Sequence, residues 1–203
     1  MIPRIALAPL AISLVLAAGV AASVVKKMEL AEIVSNGELI FEGRVVATDA
    51  ILNKKGTIST AVTVEVDRPF RGAKASEKLV FWIAGGELGG QGLVIPGMPR
   101  FHAGERMLLF LTGETTSGVR APVGLGQGKF GIEVDPKTGA KRVSRALSDL
   151  EFLDPKTGKS GHGPDAEGFD YGKLTAEIES LVAADDARRA KAESRPSGGG
   201  KHK

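Results

Sequence analysis

The period of the apolar positions changes several times along this chain. Residues 5–18 are almost continuously apolar, broken only by Pro9 and Ser13. Met28, Leu30, Ala31, Ile33 and Val34 then fall on one side of a single short helix, and Asn36-Gly37 is a helix stop. From residue 39 the period drops toward two. Strands are predicted over 39–47, 58–68, 78–84, 106–112, 118–123, 129–134 and 140–144. Within 58–68 the alternation places Val62, Val64 and Val66 on one face and Ala61, Thr63, Glu65 and Asp67 on the other. Pro69 cannot donate to a ladder and is expected to end that strand. Trp82, inside the dense apolar run 78–84, is expected in the core; the alternative is an exposed binding anchor. Leu174, Ile178, Leu181 and Val182 return at helical spacing and give an amphipathic helix over 173–193.

Glycine punctuates this pattern. The chain has 27 glycines in 203 residues, nearly twice the usual share of about 7 %. Five of them fall within 85–92, a flexible or tightly turning loop, and Pro96-Gly97-Met98-Pro99 turns again. Asn53-Lys54-Lys55-Gly56 is a polar turn. Asp135-Pro136-Lys137-Thr138-Gly139 suits a hairpin turn, with proline and glycine at the positions such a turn favours. The pentapeptide recurs at 154–158 without any larger repeat around it. Short strands joined by glycine turns, with no long helix among them, predict a mainly β domain. The expected architecture is a small β-barrel over 23–153, preceded within that range by the short helix. A loop over 154–172, the C-terminal amphipathic helix and a disordered basic tail over 194–203 follow.

The apolar head reads as an address. Met1-Ile2-Pro3-Arg4 is a basic start, and Val20 and Ala22 stand at −3 and −1 of a signal-peptidase site. Cleavage after Ala22 removes 1–22 and exports the remainder to a periplasmic or extracellular space. The alternative is a retained anchor, since 5–25 approaches the roughly 20 residues of a span. Lys26-Lys27 on the far side weigh against it under the positive-inside rule.

Charge changes meaning with location. The formal net charge is +3. Arg4 belongs to the leader, and 187–203 hold six basic residues against Glu193. That leaves 20 basic and 23 acidic residues in 23–186, so the body is slightly acidic. The tail can touch an anionic surface, while the body gives no reason to expect a polyanion, and the scarcity of aromatics removes the stacking that single-stranded nucleic acid requires. The absence of cysteine excludes disulfides, thiol nucleophiles, cysteine-ligated zinc and iron–sulfur chemistry.

Candidate chemistry is sparse. His102, His162 and His202 lie in separate segments without ligand spacing. Asp185-Asp186 beside Arg188-Arg189 read as ordinary ion pairs at helical spacing. The glycine segments 85–92 and 124–128 lack the phosphate-loop ending and the dinucleotide fingerprint, and neither Gly-x-Ser-x-Gly nor His-Glu-x-x-His occurs. Only Glu87, inside the glycine loop, and His102, beside Glu105, would support a small hydrolase. No catalytic residue, cofactor or metal ligand is assigned, and the expectation is a non-enzymatic binding module. Glu87, Leu88, Leu93, Ile95, Met98 and Phe101, around the glycine and proline turns, are the candidate surface for a protein partner. The alternative for the apolar ones is that they cap the open end of the barrel.

Three segments carry a resemblance. Ile40-Phe41-Glu42-Gly43-Arg44-Val45, then Thr63-Val64-Glu65-Val66 running to Phe70-Arg71-Gly72, then Phe101-x-x-Gly104-Glu105-x-x-Leu108-x-Phe110-Leu111 occur in that order. Together they resemble the netrin-like module, the OB-type barrel shared with tissue inhibitors of metalloproteinases, and exported bacterial proteins of the same pattern. The resemblance covers about 28–134. It implies a closed OB-type barrel and, as an alternative function, inhibition or chaperoning of a secreted metalloprotease. Netrin-like modules are usually rich in disulfides, and the inhibitors chelate zinc through an N-terminal cysteine. Neither feature has a matching residue here.

Overall fold

A computed structural model describes residues 23–53, 56–116, 118–153 and 157–194. The expected leader 1–22 and all of the tail beyond Ser194 lie outside the described residues, as do parts of two of the polar turns.

Among the described residues the protein is mainly β with two α-helices. In chain order the elements are β1 (Ser23–Val25), α1 (Leu30–Asn36), β2 (Leu39–Leu52), β3 (Ile58–Arg71), β4 (Lys78–Ala84), β5 (Gly86–Leu88) and β6 (Gln91–Leu93). They continue with β7 (Arg106–Leu111), β8 (Lys129–Val134), β9 (Lys141–Arg145), β10 (Leu150–Leu153), β11 (Ser160–His162), β12 (Glu167–Asp170) and α2 (Tyr171–Glu193). The main sheet has seven strands in the order β12-β9-β8-β7-β2-β3-β4, and every pairing in it is antiparallel. A second sheet, β1-β10-β11, begins with a parallel pair, and β5-β6 is a separate hairpin.

β7 shows why the sheet has two buried faces. Met107, Leu108, Leu109, Phe110 and Leu111 are all fully buried. With a period of two, Leu108 and Phe110 join one cluster and Met107, Leu109 and Leu111 the other. The first cluster lies under the helices: Ile33 and Val34 of α1 and Leu174, Ile178 and Val182 of α2 pack on Ile40, Phe130, Ile132 and Val143. The second is held by the sheet's own curl, with Phe41, Val45, Val62, Val64, Val66, Phe81 and Ile83 facing Phe101. Register shifts in the β2–β3 ladder at Ile40/Phe41, Glu42/Gly43 and Val45/Ala47 supply that curl. Gly43 sits at one of them, and a Cβ there would stand 2.6 Å from the Glu65 carbonyl.

Several expectations are corrected. No sheet closes into a barrel among the described residues: the 118–123 strand is reduced to isolated bridges, Val119 to Trp82 and Pro122 to Leu111. The Arg120 N–H donates to the Trp82 carbonyl at 2.8 Å and the Thr112 N–H to Ala121 at 2.9 Å, so 119–122 spans the gap between β4 and β7 without a continuous ladder. β3 runs past Pro69 to Arg71: Pro69 is paired with Phe41 beside a register shift, and it lies beyond the β3–β4 ladder, which ends at Glu65, so β3 there is an edge strand that tolerates proline. Trp82 alternates out of the core, half-buried beside exposed Val80, while Phe81 and Ile83 point in. The segment 154–172, expected as loop, contains β11 and β12. α1 does stop before Gly37, but that residue is extended at φ −83°. The carbonyls of Val34 and Gly37 accept instead from Arg71, at 2.8 and 2.9 Å.

Candidate functional site

The glycine-rich segment folds as a hairpin over one end of the curled sheet. Gly89 and Gly90 form its tip with φ +58° and +78°, the paired positive values of a type I′ turn. At its base the Gly85 N–H donates to Ile58 at 3.0 Å, and the Thr60 hydroxyl donates to the Gly85 carbonyl at 2.7 Å. Gly86 takes φ +134°, and a Cβ there would collide with the Thr60 hydroxyl. The glycines therefore allow the hairpin to bend sharply off β4 and lie against β2 and β3.

Between this hairpin and the turn after it lies a cavity of about 410 Å³. Its walls are Thr48 and Ala50 of β2, Thr60 of β3, Ile83 and Ala84 of β4, the hairpin base with Glu87, and 92–95 and 98–102. Glu87, Leu93, Ile95, Met98 and Phe101 line this one cavity, whereas Leu88 lies outside it. Phe101 is buried rather than presented. Its ring meets Phe81 edge-on at 5.6 Å, and the Lys129 ammonium sits 4.9 Å from its centroid. Leu93, Ile95 and Met98 are partly exposed. Phe101 thus both caps the second core cluster and forms part of the cavity wall.

Charged groups stand at the rim. Glu87, Arg100 and His102 are exposed, and none of their side chains has a hydrogen-bond partner among the described residues. Glu105 is already engaged: one carboxylate oxygen pairs with Lys129 Nζ at 2.5 Å, and the other accepts the His102 backbone N–H at 3.2 Å. Lys129 also donates to the Arg100 carbonyl at 2.6 Å. These bonds fix the 100–105 turn and leave the Arg100 guanidinium to solvent. The Gly104 N–H donates to Val45 at 2.8 Å and the Val45 N–H to Glu105 at 2.9 Å, which seats the same turn on a shift in β2.

The residues that sequence patterning missed are Thr48, Thr60 and Arg100. Thr60 was readable, since it extends the Val62, Val64, Val66 face toward the sheet's open end. Arg100 carried no signal of its own, because a single arginine in a proline turn belongs to no pattern.

Four polar clusters lie away from the cavity and join elements to one another. Glu42, 1 % exposed on β2, accepts from the Tyr171 hydroxyl at 2.6 Å and from Lys141 Nζ at 2.5 Å. Burial pushes the Lys141 ammonium down, but its bonds to Glu42 and Tyr171 outweigh that and raise it. Arg145 pairs with Glu167 at 2.6 Å and lies over the rings of Phe130 and Phe169. Arg71 ties α1 and β3 to α2 through Asp185 and Asp186, at 3.0 and 2.7 Å. Gln127, fully buried, accepts from the Met28 N–H at 2.8 Å and donates to the Lys26 carbonyl at 3.1 Å, which ties down the chain after β1.

Among the described residues no group of three or more histidines and carboxylates could hold a metal ion, and no helix is long and apolar enough to cross a membrane. No family model, no curated protein and no solved structure matches the chain.

Proposed function

We propose that this chain is an exported, non-enzymatic binding module that recognises another secreted or envelope protein through the hairpin end of its sheet. One observation carries the reading: five side chains selected from two separate turns converge on a single cavity with partly exposed apolar walls and an unpaired charged rim. Apolar surface held open in this way gains free energy when a partner covers it, at about 25 cal/mol per Å².

The finer fold reading is an OB-type, netrin-like barrel. It is supported by the bridges through 119–122, the first parallel to β4 and the second antiparallel to β7. They follow the order β2-β3-β4-(119–122)-β7-β2 of an OB-type barrel, as two isolated bridges rather than as a closed ladder. The three segments of the resemblance fall on β2, on β3 and on the turn leading into β7, which are neighbours in that order.

Affinity capture from the exported proteome tests the function. The purified chain is expected to retain a specific protein that Ile95→Glu and Met98→Glu variants release. Equal recovery by wild type and variants, or none by either, would reject the cavity as the recognition site. A captured metalloprotease whose activity falls on binding would give the inhibitor reading.

A further inference from the structure

The outer side of the β5–β6 hairpin bears a second feature that points to the form of the partner. β6 pairs only with β5 among the described residues, so its other edge carries no strand. In the register Glu87↔Gly92, flanked by Gly86↔Leu93 and Leu88↔Gln91, the two-residue turn makes the flanking pairs the hydrogen-bonded ones. The N–H and C=O of Gly92 therefore face outward. Val94, next along that edge, has no backbone hydrogen-bond partner among the described residues, and its side chain is 67 % exposed. Gly92 has open space where a Cβ would be. Natural sheets ordinarily blunt such an edge with charge, proline or cover. Here the edge is left plain, beside a cavity with apolar residues in its walls and an arginine side chain without a partner among the described residues.

We infer that β6 receives an extended segment of the partner as an added strand, seating an apolar side chain in the cavity and placing a carboxylate on Arg100. Main-chain bonds to Gly92 and Val94 supply sequence-independent attachment, and the cavity selects one side chain of the alternating pair. Arg100 selects for an acidic residue, since its planar fork pairs with a carboxylate at two points. Glu87 on the same rim disfavours a second acid on its side. The preferred ligand is thus an extended, alternating apolar peptide with one acidic residue. This inference rests on the binding-module reading and narrows it to strand addition.

Selection of phage-displayed random dodecapeptides on the folded full chain tests it. The expected enrichment is an alternating apolar motif with one Asp or Glu. A synthetic peptide of that motif should bind Arg100→Glu at least about tenfold more weakly than wild type, as expected for loss of a charge-assisted pair. It should also protect the Val94 amide from hydrogen exchange. Val94→Pro, checked for folding by near-ultraviolet dichroism, should abolish the binding. Enrichment of motifs without an acid, binding unchanged by Arg100→Glu, or an unprotected Val94 amide would each overturn strand addition. Absence of any enriched peptide would overturn it as well. The broader reading is judged separately: a protein partner still captured by Arg100→Glu and Val94→Pro, yet released by Ile95→Glu, would leave the binding module standing and strand addition refuted.

Discussion

Arg71 is the residue whose removal should be felt most widely. Its side chain is 9 % exposed and sits where α1 ends, β3 ends and α2 passes. One terminal nitrogen serves the Val34 and Gly37 carbonyls, and the other serves Asp185, Asp186 and, at 3.4 Å, the Val182 carbonyl. Its Nε is buried without a partner among the described residues, so the terminal fork makes all of the bonds seen there. Arg71→Met keeps much of the stem's packing and removes the fork. Breaking a buried pair by removing one partner costs about 3–5 kcal/mol when the remaining charge is left alone. Asp185 is 6 % exposed but retains Arg188 and Arg189, the latter at 2.8 Å. The loss should therefore fall at the low end, about 3 kcal/mol, most of it from the orphaned carbonyls and the exit of one cation. In a domain of this size that lowers Tm by roughly 6–12 °C. Urea unfolding followed by Trp82 fluorescence measures it, with the midpoint falling and the slope unchanged. Arg71→Lys should recover less than half, because one ammonium cannot reproduce a fork that spans two helices. A loss under about 1 kcal/mol for Arg71→Met would refute the view that this contact closes the helical layer on the sheet.

Further outcomes follow from the same geometry. Gly86→Ala should destabilise the fold by about 1–3 kcal/mol from φ +134° alone, with the Thr60 contact adding to it, while Gly92→Ala, in open space, should stay within about 0.5 kcal/mol in the same thermal melt. Tyr171→Phe removes a bond to the buried Glu42 carboxylate and should cost about 1.5–3 kcal/mol by urea unfolding. Burial pushes the Asp185 carboxyl up, but the bonds from Arg189 and Arg188 and the charges of Arg189 and Arg71 outweigh it and hold it below the usual range. Such a group contributes stability that is present above its unfolded pKa of about 3.9 and is lost as pH falls through the folded value. Asp185→Asn should therefore flatten the decline in urea midpoint below about pH 4. Intact-mass analysis of the chain recovered from expressing cells and their medium should find Ser23 at the N-terminus, and a retained Met1 would reject a cleaved leader.

The legible parts of the fold were those written in side-chain period. The bounds of β4 and β8 match the apolar runs, and β7 ends one residue before its run. The spacing of Leu174, Ile178, Leu181 and Val182 placed α2 to within two residues of its start. The Asp135 turn forms as its residues dictate: the carboxylate accepts from the Lys137 and Thr138 N–H groups at 2.8 and 3.0 Å, and Gly139 takes φ +70°. What escaped was structure made by backbone alone. β5 and β6 are glycine-rich and carry no alternation, so a hairpin reads as a loop. β1 pairs in parallel with β10, more than a hundred residues away, and nothing local encodes that partner. Trp82 was misplaced because a continuous apolar run hides its phase, which the neighbouring Phe81 and Ile83 set. At the cavity, Leu93, Ile95, Met98 and Phe101 were legible because turn residues with large apolar side chains stand out from a polar background, and Glu87 because it is the one acid inside the glycine loop. Their convergence was not, since it depends on how Gly85 and Gly86 bend the chain. The two readings of these residues, partner contact or cap, are not exclusive at Phe101, which packs on Phe81 and lines the cavity at once.

The most direct test places a photocrosslinking side chain at Leu93, on the cavity wall, and separately at Val134, exposed at the end of β8 and outside the cavity lining. Both variants are expressed with the native leader and irradiated in growing cells. The account predicts a discrete adduct with one exported protein from position 93 and none from position 134. No adduct from position 93, or the same adducts from both positions, would contradict it.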